Sequence, residues 1–127
     1  MAKRAQKQLS VTWDQANAFR LARQYLSERA SKKSLLSVVR DMGGAQAQLL
    51  MAAQVSIGAR INDLRVADIE AAVRKRTLVK ASCMRRTLFL VPAKDLAVFA
   101  HGSARRADQE IRWSIGKGVP DTPRPAI

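Results

Sequence analysis

Between Thr77 and Val91 the apolar pattern of this chain stops being helical, and that switch constrains the fold more than any other feature. Thr77 to Cys83 and Thr87 to Val91 are rich in β-branched and apolar residues, and they flank a sharp basic tip, Met84-Arg85-Arg86. Two such runs around a short polar turn predict a β-hairpin. Upstream, apolar residues recur every three or four positions, which predicts helices. The expected class is therefore mainly α with a small β-hairpin.

Four helices are expected before the hairpin. Thr12-Trp13-Asp14-Gln15 has the spacing of a capping box, in which the Thr12 hydroxyl and the Gln15 amide satisfy each other's backbone N–H groups. Ala16, Phe19, Ala22 and Leu26 then share one face and Arg20, Arg23 and Ser27 another, with Trp13 and Phe19 expected in core or staple contacts. Ser34 is placed to cap a short second helix carrying Leu35, Val38, Val39 and Met42 inward, and Gly43 stands where helices end in a left-handed residue. A third helix is expected from about Leu49 to Ile61, with Leu50, Ala53, Ile57 and Ile61 inward, and a fourth over Ala67 to Val73. After the hairpin, Pro92 suits the start of a fifth helix reaching about Trp113, with Leu96, Phe99 and Ala100 inward. This divides the chain into a basic arm over residues 1–10, a folded domain over 11–113 and a tail over 114–127. The tail holds three of the four prolines and reads as a disordered, truncated end.

Charge narrows the partner. Lys and Arg number 23 against 10 Asp and Glu, a formal net charge of +13 in 127 residues, and Arg outnumbers Lys 15 to 8. That balance points to a polyanion, and the planar guanidinium fork favours nucleic acid over a membrane surface. From Ala71 to Lys94 there are seven basic residues and no acidic one. Arg74, Arg76, Lys80, Arg85 and Arg86 in that run, with Arg20, Arg23 and Arg40 upstream, are the candidate DNA-binding residues. As solvated faces they also need no function. One Cys and one His exclude a His/Cys zinc site, so no metal or cofactor is expected. No window approaches ~18 uninterrupted apolar residues and the N-terminus has no apolar signal run, so a cytoplasmic, nucleoid-associated protein without membrane contact is expected.

Gln46 and Gln48 follow directly on Gly43-Gly44. In an extended segment they point to the same side and present two amides, each with one carbonyl acceptor and two N–H donors. Such a pair suits a wet, functional concavity. A solvated Gln-x-Gln at a helix start is the other reading.

Helices followed by a basic hairpin describe a winged helix-turn-helix, in which one helix enters the major groove and the hairpin touches backbone or minor groove. The ordered motifs Phe19-Arg20-Leu21-Ala22-Arg23-Gln24, Val38-Val39-Arg40-Asp41-Met42-Gly43-Gly44-Ala45-Gln46-Ala47-Gln48 and Cys83-Met84-Arg85-Arg86-Thr87-Leu88-Phe89-Leu90-Val91-Pro92 resemble the N-terminal part of a bacterial winged-helix family. That family includes the DNA glycosylases that excise alkylated purines and unhook interstrand crosslinks. The resemblance covers about Leu9 to Phe99 and implies an incomplete member, because the family's proteins carry several such units. It implies that Gln46 and Gln48 are the catalytic residues and that the partner is double-stranded DNA with alkylated or crosslinked bases. It also implies apolar surfaces, left uncovered by the absent units, through which copies could self-associate. Where many members read Met-Arg-Gly-Thr-Leu-His along the hairpin, this chain has Arg86 for the Gly and Phe89 for the His. A non-catalytic winged-helix module or transcriptional regulator is the alternative, and a protein-interaction fragment a third.

Overall fold

The computed structural model of the chain describes residues 10–102. Within them the protein is mainly helical with one small antiparallel sheet. Helix α1 runs Trp13–Arg23, α2 Leu35–Asp41, α3 Leu50–Gly58 and α4 Val66–Arg74. The strands are β1 Ala45–Gln46, β2 Leu78–Ser82 and β3 Leu88–Pro92, in the order β1-β3-β2. A 3₁₀ turn over Ala93–Asp95 follows Pro92, and the chain is helical again over 96–102.

The β2–β3 hairpin forms where the pattern change placed it, with Lys80 opposite Leu90 and Ala81 opposite Phe89. The third strand was not expected as part of the sheet. β1 joins the free edge of β3, Ala45 opposite Leu90 and Gln46 opposite Phe89. The reason lies in the turn before it. Gly44 N–H donates to the Val39 carbonyl at 2.9 Å and Gly43 N–H to the Arg40 carbonyl at 2.8 Å, the paired bonds of a Schellman ending. Both glycines have positive φ, 75° and 89°, so the chain leaves α2 and reverses directly onto β3.

One face of the sheet supplies the core. Ala45, Leu90 and Leu78 pack with Val38 and Val39 of α2, Ala53 and Ile57 of α3, and Ile69 of α4, all buried. The segment after α1 is stitched to this core by backbone. Ala30 N–H donates to the Arg60 carbonyl and Asn62 N–H to the Ala30 carbonyl, both at 2.9 Å, beside buried Ile61. The Tyr25 hydroxyl donates to the Asp41 carboxylate at the end of α2, and that bond raises the Tyr25 pKa above the ordinary phenol value. At the start of α4, Asp68 forms an ion pair with Lys32 at 2.7 Å and accepts the Arg65 backbone N–H at 2.9 Å. Both contacts lower its pKa.

Several expectations fail here. The α1 capping box is present, with Thr12 and Gln15 bonded both ways at 3.0 and 3.2 Å, yet α1 buries no residue. Trp13 is 79% exposed and Phe19 67%, so neither is a core contact. Capping fixes where a helix starts but does not supply a surface for it to dock on. Leu50, expected inward, is exposed because α3 turns Ala53 and Ile57 to the core instead. Ser34 makes no capping bond, since a 3₁₀ turn over Lys32–Ser34 leads into α2 and its backbone is already turned. Leu96 and Phe99 are half-buried and Ala100 is exposed. The N-terminal arm up to Leu9, the fifth helix beyond residue 102 and the tail over 114–127 lie outside the described residues.

Candidate functional site

The two glutamines lie on the sheet face opposite Ala45 and Leu90, a face that is exposed at Gln46 and closed further along β3 by buried Val91. Along the chain from Ala45 to Gln48 exposure alternates: Ala45 and Ala47 are buried, Gln46 and Gln48 exposed. Extended backbone with period two therefore puts both amides on the side away from the core. Both side chains are solvated, as the other reading has them, but Gln46 belongs to β1 and α3 begins only at Leu50.

The two glutamines differ in what holds them. The Ala47 N–H donates to the Leu88 carbonyl at 2.7 Å, one half of a cross-strand pair. The other half is made by a side chain, as Leu88 N–H donates to Gln48 Oε1 at 3.1 Å. The Gln48 amide is thereby oriented, with its carbonyl toward β3 and its NH₂ turned the other way. This bond was not foreseeable, since nothing in a Gln-x-Gln spacing says which amide will complete a ladder. Gln46 sits opposite Phe89. Because Ala47–Leu88 is a hydrogen-bonded pair, Gln46–Phe89 is the alternate kind, whose side chains come closest. Gly44 completes this surface. A Cβ on it would lie 2.9 Å from Val91 Cγ1 and 3.4 Å from Phe89 Cδ1, so only bare backbone fits there.

The hairpin tip is basic and strained. Arg85 and Arg86 have φ of 52° and 57°, and Thr87 N–H donates to the Met84 carbonyl at 3.1 Å across them. Two central residues with positive φ make a type I′ turn, which normally uses Asn-Gly. Arg86, which replaces the Gly of many family members, therefore sits in a backbone conformation that favours glycine. Continuing the β1–β3 register sets Gln48 opposite Thr87, so the tip follows directly on the glutamine end of the sheet. Cys83 is buried beneath the tip, and burial pushes its thiol pKa up, away from nucleophilic chemistry.

The remaining basic candidates fall into three groups. Lys80 is exposed on β2, and Arg76 is exposed just after α4 with φ of 55°. Arg40 and Arg74 face carboxylates: Arg40 Nε lies 3.5 Å from Asp95 Oδ2, and Arg74 Nη1 4.0 Å from Glu70. Arg20 and Arg23 stand exposed on α1, the helix that buries nothing. Only Lys80, Arg85 and Arg86 share the hairpin. Among the described residues no group of three or more His, Cys, Asp or Glu could hold a metal ion, and no helix is long and apolar enough to cross a membrane.

Comparison with known proteins fits this geometry. The profile of the AlkZ-like DNA glycosylase family matches residues 39–126, from α2 through the glutamines and the hairpin. The chain belongs to that family. Among solved structures it is similar to the Streptomyces sahachiroi DNA glycosylase AlkZ, at 27% identity and a TM-score of 0.66 over 72% of this chain. The similar part is 24% of that protein, so the chain spans about a quarter of its length. No curated protein matches. The matched span starts after α1, which lies outside it.

Proposed function

We propose that this chain is a winged helix-turn-helix DNA-binding unit of a DNA glycosylase. It hydrolyses the N-glycosidic bond of alkylated bases with Gln46 and Gln48 at the reacting centre. The observation that supports this most is the same-side amide pair, Gln48 held by Leu88 and Gln46 beside it, next to a basic tip. Alkylation at a purine N7 places positive charge on the base. When the C1′–N9 bond breaks, its electron pair neutralises that charge, so the leaving group needs no general acid. What the site must supply is a placed water and a negative dipole end for the cationic sugar. The Gln46 carbonyl offers both without titrating near neutral pH, while Gln48, whose carbonyl accepts from Leu88 N–H, presents its NH₂ as a donor to the water oxygen. Water then bonds to C1′ and gives its proton to solvent.

Within this scheme Gln48 is pre-set by Leu88 and Gln46 is the amide facing the lesion. Arg85 and Arg86 hold phosphates at the tip beside the glutamines, and Lys80, on the Leu90 face of β2, and Arg76 after α4 are outlying contacts. Arg20, Arg23, Arg40 and Arg74 are secondary contacts, the last two after giving up their carboxylate neighbours. The test is single-turnover release of N7-methylguanine from a duplex. Gln46→Ala and Gln48→Ala should each slow release by about 10²-fold, as loss of one placed dipole does elsewhere. Gln48→Ala should also lower stability by about 1 kcal/mol, because Leu88 N–H loses its acceptor. Unchanged release in both variants removes the pair from the mechanism.

A second reading, a non-catalytic winged-helix module, is favoured by the exposed arginines at the tip, which serve binding whether or not chemistry follows. Tight duplex binding with no base release from the intact chain would select it.

A further inference from the structure

Gln46 has a cross-strand neighbour that the proposed chemistry has not used. Phe89 is half-buried on the same face and directly opposite Gln46. Its neighbours are small on two sides, with buried Val91 two residues further along the same face. Ala81 is paired to it across β2, and the bare backbone of Gly44 lies along β1. The ring is partly exposed to solvent beside the proposed reacting centre.

We propose that Phe89 is a specificity-determining residue that selects cationic, alkylated purines over neutral bases. The inference rests on the reading that Gln46 and Gln48 form the site. A ring face attracts a cation held within about 6 Å of its centre, and a purine alkylated at N7 is both planar and cationic. An unmodified purine offers the same stacking area and lacks the charge. The phenyl group does not titrate, so the preference is constant with pH.

The experiment compares affinity for two duplexes, one with a single N7-methylguanine on a 2′-fluorinated sugar and one unmodified. Fluorine at C2′ keeps the glycosidic bond intact while the complex is measured. The intact chain should prefer the alkylated duplex by about fivefold, the order of a partly exposed cation–ring contact. Phe89→Leu, which keeps apolar volume, should bring the ratio close to one, and Phe89→Tyr, which keeps the ring, should retain it. Phe89→His adds a reading that a merely structural role would not give. Its imidazole gains a proton below about pH 6.5 and then repels the cationic base, so the preference should be present at pH 8 and lost at pH 5.5. A wild-type ratio of one, or a Phe89→Leu ratio equal to wild type in a chain with unchanged far-ultraviolet dichroism, overturns the assignment. Base release from the ordinary sugar by Gln46→Ala separates the two readings. If release falls while Phe89→Leu keeps its preference, the glutamine site stands and the Phe89 inference alone fails. If release is unaffected, the glutamine reading fails, and with it the basis of this one.

Discussion

Helix α1 and strand β1 make opposite bargains with the rest of the molecule. α1 has eleven residues, a complete capping box, an acidic first turn and a basic last turn, and none of its residues is buried. β1 has two residues and no cap, yet Ala45 is 1% exposed and Ala47 fully buried. The difference teaches that local order and tertiary embedding are separate properties. A helix of this length is marginal in water by itself. β1 exists only because Gly43, Gly44 and the edge of β3 leave the chain no other course, and that rigidity is what a pair of placed amides requires.

The largest loss is expected at Gly44. Gly44→Ala puts a Cβ 2.9 Å from Val91 Cγ1 and 3.2 Å from the Leu90 carbonyl, with φ at 89°. Val91 is fully buried and cannot step aside. The left-handed backbone and the overpacking together should cost about 2–5 kcal/mol, read as a lower denaturation midpoint. Gly43→Ala sharpens the point. Its φ is 75° but nothing lies within 4 Å, so only the backbone cost of about 1–2 kcal/mol should appear. Equal losses at both positions would mean that β1 is not pressed against β3.

A smaller effect of the opposite sign is expected at the tip. Arg86→Gly relieves a left-handed arginine and should raise stability by up to about 1 kcal/mol. If Arg86 holds a phosphate, the same change should reduce the salt dependence of duplex binding by about one unit of slope. Strain kept where function needs it predicts that these two measurements move in opposite directions.

Legibility followed the same division. α2, α4 and the hairpin were readable from local pattern: Val38 and Val39 at adjacent inward positions, Ile69 and Ala72 one turn apart, and β-branched, apolar runs around a basic turn. The same-side placement of Gln46 and Gln48 was readable as soon as the segment was taken as extended. Three things were not. The pairing of β1 with β3 joins residues more than forty apart, Gln46 with Phe89, and no local pattern encodes a partner at that distance. The Gln48–Leu88 bond depends on that register. The exposure of Trp13 and Phe19 depends on what α1 has to pack against, which spacing within the helix does not state.

The smallest expected effect is at α1. Phe19→Ala removes a large ring that is two-thirds exposed, and a core phenylalanine lost in this way would cost about 3–5 kcal/mol. Here the ring buries too little area for that, and the change should stay within about 0.5 kcal/mol of wild type in chemical denaturation. Alanine is also the better helix former, which offsets part of the small loss. Ala16 and Tyr25 are half-buried, and Tyr25 is tied to Asp41, so the end of α1 stays anchored when Phe19 is changed. A loss of 2 kcal/mol or more would show that α1 docks on the core in solution. In that case the contrast between an ordered but unembedded helix and a short embedded strand would be withdrawn.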